Sequence, residues 1–344
     1  VLSCDEAEID FECLEPGAVY YIQVDGDGGG DRGNFEIRVS SGGGPQATND
    51  NTCDAFNLGT LNFGGTINPT ATSAYNNFCA GTQPGEPDAS WGEDQTVWAS
   101  FTTGATIGTE TEIAVLNNPA GLGDDLHVQV ALYESSGGCN PGDLTLIDSQ
   151  GGASLGSTTM DVSCLQPNTT YYVQIDGTAL NTQGYYGIRI TDNGTPQPSN
   201  DDICNAYGLG LLTLGGTLSP AATTSYNNFC SGTQPSEPDA SWGEDQTVWA
   251  TFTTGATVGS EVAIDVSNDP SNHGDDLHVQ VALYESNGGC NPGDLTLIDS
   301  QGGASLGSTT MDVTCLLPNT TYYVQIDGTA LNTQGFYGIE IRDN

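Results

Sequence analysis

The segment Leu126-His-Val-Gln-Val-Ala-Leu-Tyr133 alternates apolar and polar side chains with a period of two, the pattern of a strand that buries one face. Leu126, Val128, Val130 and Leu132 are expected to point inward, leaving His127 and Gln129 outside. Thr96-Val-Trp-Ala-Ser-Phe-Thr102 reads the same way, and Tyr171-Tyr-Val-Gln-Ile175 and Tyr185-Tyr-Gly-Ile-Arg-Ile190 read as a closing pair of strands. Between such runs, 47 Gly and 16 Pro, with dense Asn, Thr, Ser and Asp, leave no window long enough for an amphipathic helix. The sequence therefore specifies an all-β protein. The run Leu165-Gln-Pro-Asn-Thr-Thr-Tyr171 resembles the tyrosine corner of fibronectin-type and immunoglobulin-type domains, which favours a two-sheet sandwich.

Outward from that strand the chain repeats. Tyr75-Asn-Asn-Phe-Cys79 and the stretch from Asp88 to Trp98 return from Tyr226 to Trp249 at an offset of 151 residues, which also relates Cys139 to Cys290 and Cys164 to Cys315. Two whole units follow, residues 43–193 and 194–344, and residues 1–42 read as the C-terminal part of a preceding repeat, because Cys13 to Gly26 matches Cys164 to Gly177. The chain is thus expected to be a fragment of a longer array. A period of 151 residues is large enough to bury its own core, so the units are expected to be tandem domains and not turns of a solenoid. The joints, Ser41 to Thr48 and Asp192 to Ser199, are short and contain Pro, which predicts a rigid rod. Neighbouring repeats are the first expected partners, with homo-oligomer or filament formation as an extension of the same contacts.

With 44 Asp+Glu against 4 Lys+Arg, the formal charge is −40, which repels nucleic acid and anionic membrane surfaces. A content of 36% hydrophobic residues in short strand-like runs still allows a packed core, and no run of 18 apolar residues could be inserted in a membrane. Each full unit has four cysteines: Cys53, Cys79, Cys139 and Cys164, then Cys204, Cys230, Cys290 and Cys315. Even numbers without metal-site spacing predict disulfides and a secreted, extracellular or cell-surface location. Four cysteines allow three connectivities, of which nearest-in-sequence pairing, Cys53–Cys79 and Cys139–Cys164 with their copies, is favoured and would leave no free thiol in the two full units. Cys4 breaks the repeat, since its 151-shifted position is Leu155; Cys13 or an upstream cysteine is its expected partner.

The order of Asn49-Asp-Asn-Thr-Cys-Asp-Ala55, Gly65-Thr66, Val97 to Thr102, Val128 to Tyr133 and Pro167 to Gly177 resembles the bacterial pre-peptidase C-terminal domain, and more closely the cysteine-bearing variant strung along giant surface proteins of Bacteroidota. The resemblance implies a jelly-roll-like β-sandwich, export, and accessory, adhesive or collagen- and sugar-binding roles. This chain has no peptidase portion and repeats the domain in tandem, which favours a structural or adhesive module of a surface adhesin or extracellular filament over an accessory carbohydrate- or matrix-binding module of an enzyme. The resemblance also implies calcium, held by Asn49 and Asp50 with Glu93 and Asp94, and in the second unit by Asn200, Asp201, Glu244 and Asp245. Such oxygen-bearing side chains suit a hard cation. Asp25, Asp27 and Asp31, on a glycine-rich turn, form a weaker candidate set. Trp91 and Trp242, in Asp-Ala-Ser-Trp-Gly loops, are candidate sugar-binding platforms, whereas Trp98 and Trp249 read as core. His127, His273 and His278 are unclustered, and no GxSxG, HExxH or phosphate-binding loop is present, so no enzyme is expected.

Overall fold

The computed structural model describes residues 9, 11, 13–26, 28–123, 126–151, 156–240, 242–274, 279–302 and 307–344. The first full unit forms β1 (Phe56–Leu61), β2 (Thr66–Ile67), β3 (Val97–Thr103), β4 (Gly108–Asn117), β5 (Val128–Ser135), β6 (Leu144–Gln150), β7 (Thr158–Ser163), β8 (Thr170–Gly177) and β9 (Tyr186–Pro196). The second repeats them as β10 (Tyr207–Leu212), β11 (Thr217–Leu218), β12 (Val248–Thr254), β13 (Glu261–Asn268), β14 (Val279–Ser286), β15 (Leu295–Gln301), β16 (Thr309–Thr314), β17 (Thr321–Gly328) and β18 (Tyr337–Asp343). Each unit is a sandwich of a five-stranded sheet, ordered β1-β3-β8-β5-β6 in the first, and a four-stranded sheet, ordered β2-β9-β4-β7. The tail described before residue 43 contains no strand.

The expected inward set, Leu126, Val128, Val130 and Leu132, is fully buried between the two sheets with Val97, Phe101, Ile113, Ile175 and Ile190. The opposite face of the same strand is buried too. Gln129, expected outside, is only 4% exposed, and Ala131 and Tyr133 join Trp98 and Leu144 in a second cluster on the outer face of the five-stranded sheet. Its lid is the long connection from β2 to β3, which contributes Ala89 and Trp91. A strand with a covered outer face has no reason to keep that face polar, so simple alternation understated its burial.

Two buried asparagines fix the lid and the entry to the sandwich. Asn77 Nδ2 donates to Gln95 O at 3.1 Å and to Thr182 O at 3.0 Å, while its Oδ1 accepts from Gly184 N at 2.9 Å. Asn49 Nδ2 donates to Trp98 O at 2.7 Å and to the Tyr186 hydroxyl at 3.1 Å. The Asn77 amide is thereby satisfied at both ends, as buried polar groups usually are, whereas the Asn49 Oδ1 is left buried without a partner. The strands expected to form a closing pair do not pair. β8 lies in the five-stranded sheet and β9 in the four-stranded one, because the jelly-roll-like order sends successive strands to opposite sheets. The tyrosine corner is present: Gln166 N donates to the Tyr171 hydroxyl at 2.7 Å, as Leu317 N does to that of Tyr322 at 2.8 Å. Even in the strandless tail, Glu15 N donates to Tyr20 at 2.7 Å.

Candidate functional site at the joint between repeats

Disulfides divide into two kinds. Cys53–Cys139 and Cys204–Cys290, with Cα atoms 4.8 and 4.9 Å apart, stay within a unit and tie the segment before its first strand to the loop after β5 or β14. Cys13–Cys79 and Cys164–Cys230, with Cα atoms 5.1 and 5.2 Å apart, join each repeat to the next. Nearest-in-sequence pairing is therefore overturned. Closing a loop of 66 or 86 residues instead of 26 costs only about 1 kcal/mol more in chain entropy, too little to compete with the fold. Topology decides instead: Cys139 follows β5 of one sheet and Cys164 follows β7 of the other. The expectation of no free thiol also fails, since Cys315 is free and exposed. Cys4 lies outside the described residues, and Cys13, one of its two expected partners, is bonded to Cys79.

The joint disulfides sit inside a repeated set of contacts. The linker glutamine of each joint donates its amide to the residue after the first cysteine, Gln46 Nε2 to Leu14 O at 2.8 Å and Gln197 Nε2 to Leu165 O at 2.9 Å. In the second joint Gln197 Nε2 also reaches Gly108 O at 3.0 Å, its backbone N–H donates to Ile107 O at 3.1 Å, and Asn227 Nδ2 donates to Pro196 O at 3.1 Å. β9 runs on to Pro196, which pairs with Gly108 of β4, so the last strand of one unit leads directly into the next. A cleft of about 510 Å³ remains between the units, with Thr106, Pro167 and Asn168 on one wall and Asp201, Asp202 and Asn205 on the other. Burial pushes the Asp201 carboxyl up to about 6, although Gly232 N–H donates to it at 2.8 Å.

The acids proposed as calcium ligands serve separate local contacts. Asn49 spends its Nδ2 on the contacts described above, and Asn200 makes the same pair with Trp249 O and Tyr337, while the Oδ1 of each is buried without a hydrogen-bond partner. Asp50 accepts from Gly81 N at 2.7 Å. Glu93 caps Ala89 N, and Glu244 caps Ala240 N. Asp94 accepts from Asn181 N, and Asp245 from Asn332 N. Sequence reading missed the acid that does face Asp94: Asp176, fully buried, accepts from Asp94 N at 3.0 Å, and Asp327 does the same for Asp245 N at 3.1 Å. Burial raises both Asp176 and Asp327 to about 6, with the neighbouring Asp94 or Asp245 charge adding to the rise. The only cue in sequence was that Asp176 and Asp327 occupy the position of Asp25. Two carboxylates supply part of the six to eight oxygens calcium takes, and no three acidic, His or Cys side chains come together among the described residues.

In the tail, Gly26 N donates to Asp25 Oδ1 at 2.8 Å and Asp31 N to Gly28 O at 3.0 Å, closing a tight turn; Asp27 lies outside the described residues. Trp91 and Trp242 are half-buried and do not form an open shelf. Each packs into the cluster under the lid, its ring edge lying over Gly151 or Gly302, where a Cβ would come within 2.9 Å of it. Trp98 and Trp249 are fully buried, as expected. A further network under the lid was also missed: the Tyr133 hydroxyl donates to Gln174 Oε1 at 2.8 Å, and Gln174 Nε2 donates to Glu86 Oε1 at 2.9 Å. Burial raises the Glu86 carboxyl despite those donors. His127 lies just before β5, half-buried, and His278 lies outside the described residues.

No protein-family model and no curated protein matches the chain. Similar solved structures include the N-terminal CBM22-1-CBM22-2 tandem domain of Xyn10C from Paenibacillus barcinonensis, at 10% identity over 83% of this chain and 98% of that one, with a TM-score of 0.24. CorA, a surface-associated copper-binding protein of Methylomicrobium album BG8, matches at 10% identity over 39% of this chain and 96% of its own, with a TM-score of 0.20. The tandem CBM51 modules of Sp3GH98, a family 98 glycoside hydrolase from Streptococcus pneumoniae SP3-BS71, match at 9% identity over 73% of this chain and 85% of that one, with a TM-score of 0.18. Likeness at this level carries no functional argument. Among the described residues no helix is long and apolar enough to cross a membrane, and the four disulfides belong to an oxidising, extracellular setting.

Proposed function

We propose that the chain is a length of an extracellular rod, a structural or adhesive array in which each β-sandwich is locked to the next, as in the surface adhesins whose repeats its sequence resembles. The observation that carries this reading is the recurrence of one joint at two places, with Cys13–Cys79 and Gln46 in the first and Cys164–Cys230 and Gln197 in the second. A disulfide between separately folded domains adds little to either core. Its effect is to fix their relative placement and to carry tension past a short linker. Force on such an array passes through covalent bonds at every joint, which suits a stalk or filament and has no use in a catalytic domain.

Small-angle scattering tests the reading. The native protein is expected to give the distance distribution of a stiff two-domain rod, and Cys164→Ser to broaden it toward a hinged pair. A native distribution already typical of freely jointed beads would overturn the proposal.

A further inference from the structure

The half-joint of Cys164 exists three times. Cys13, Cys164 and Cys315 all have left-handed backbone, with φ of 56°, 60° and 61°, and so do the acceptors Cys79 and Cys230, at 60° and 61°, whereas the cysteines of the internal staples do not. A left-handed non-glycine residue is uncommon, and five in one class mark a built geometry. Cys164 N donates to Thr109 O at 3.0 Å and Cys315 N to Ser260 O at 3.1 Å. Behind each stands the tyrosine corner, and Asn168 N and Asn319 N donate to Gly104 O and Gly255 O at the same 3.0 Å.

What differs is the cover. Ile107, whose carbonyl receives the linker Gln197, is fully buried, while its counterpart Val258 is half-exposed. At the position of Gln166 stands Leu317, an apolar side chain 52% exposed beside Cys315. The end of the second unit thus presents the same preformed surface, with the same cysteine, that is occupied at both other places.

On this basis we propose that Cys315, with the Leu317–Tyr322 corner, is the docking half of a third joint, and that its occupant is a further copy of this repeat presenting a Tyr-Asn-Asn-Phe-Cys segment. The inference extends the rod reading. In forming the bond, Cys315 and the incoming cysteine each give up a thiol proton and together two electrons, an S–S bond forms, and a small-molecule disulfide is reduced to two thiols. Against an already closed joint the same end reacts by exchange: the Cys315 thiolate attacks Cys79, the new S–S bond forms, and Cys13 leaves as a thiolate.

The test uses the full chain carrying Cys13→Ser, which frees Cys79, with oxidised glutathione as the disulfide. The expected products are head-to-tail oligomers on non-reducing gels, with Cys315–Cys79 peptides at least tenfold more abundant than Cys315–Cys315 peptides and with no ladder when Cys315→Ser is added. Cys53–Cys139 and Cys204–Cys290 peptides in the same digest report that the variant has folded. Should that variant misfold, the native chain incubated at high concentration is expected to release the Cys13 thiol as Cys315–Cys79 links form. Finding Cys315 only as its glutathione adduct or as symmetric dimers, with Cys164–Cys230 intact, overturns this inference and leaves the rod reading standing. Absence of Cys164–Cys230 itself would remove that reading first.

Discussion

Inside a unit and across a joint the same bond has different work. Cys53–Cys139 closes an 86-residue loop around a sandwich whose inner core already holds more than a dozen fully buried apolar side chains, so it reinforces a fold that exists without it. Cys164–Cys230 spans a surface held by a few hydrogen bonds from Gln197 and Asn227 around an open cleft, so there the disulfide is the main restraint. One kind of crosslink acts on the unfolded state and the other on the arrangement of folded parts. The repeat separates the two functions cleanly enough to be tested one cysteine pair at a time.

The largest expected effect is on the internal staple. Replacing Cys53 and Cys139 by Ala is expected to lower the stability of the first unit by about 4.6 kcal/mol, the chain-entropy value for a loop of this length, in calorimetry or denaturant unfolding. Cys164→Ser is expected to leave the unfolding of both units within about 0.5 kcal/mol of native, the range of a surface substitution. Equal losses from the two changes would break the distinction, because they would mean that the units depend on one another for folding.

The next effect is acid dependence, and it belongs to the units more than to the joint. Asp176 and Asp327 have their folded-state pKa raised by burial to about 6 from 3.8, so between those values the folded protein holds a proton the unfolded chain has released. Stability contributed by this group is full below pH 4, falls as pH rises toward 6, and is flat above. The shift corresponds to about 3 kcal/mol per unit. Unfolding midpoints measured from pH 4 to pH 7 are expected to fall, with the slope of the first unit reduced in Asp176→Asn. Asp201, raised to about 6 in the joint wall, moves in the same direction, and Asp201→Asn is expected to remove its share from the profile of the second unit. A profile unchanged by either substitution would remove these carboxylates as its source.

Local patterns were readable and long-range pairings were not. The positions of β3, β5, β8 and β9, the 151-residue offset and the tyrosine corner follow from side-chain period and from residues a few positions apart. The partition of β8 and β9 between sheets, the burial of Gln129 beneath a lid, and the pairing of Cys164 with Cys230 all depend on segments that meet only in space. Repetition itself misled, because a count of four cysteines per unit looks closed when in fact the first unit lends Cys164 forward to Cys230 and its Cys79 is bonded from behind by Cys13. Asp176 stayed hidden for a similar reason. Its sequence neighbours suggested a turn, and only the fold brings Asp94 to it.

The smallest expected effect concerns calcium, and the comparison of Asp94 with Asp50 sharpens it. Asp50 stands near the joint, held by Gly81, with no second carboxylate bonded to its backbone, whereas Asp94 and Asp176 stand together inside the unit. Above pH 6 Asp176 carries a charge that the neighbouring Asp94 charge opposes, and a divalent ion lowers that repulsion; below pH 5 Asp176 is mostly protonated and the ion has less to hold. Screening acts on every exposed acid of a chain with charge −40 and is equal for any salt of the same ionic strength. Calcium is therefore expected to raise the melting temperature more than sodium chloride of matched ionic strength at pH 7, and no more than it at pH 5. With two carboxylates in place of a full ligand set, the specific part is expected to be about 1 kcal/mol, the stabilisation from a ligand present at several times its Kd. Asp94→Asn is expected to abolish it in the first unit and Asp50→Asn to leave it intact. The reverse outcome would return the ion to the Asn49 and Asp50 position, and equal responses to the two salts at pH 7 would exclude a specific calcium site in these units.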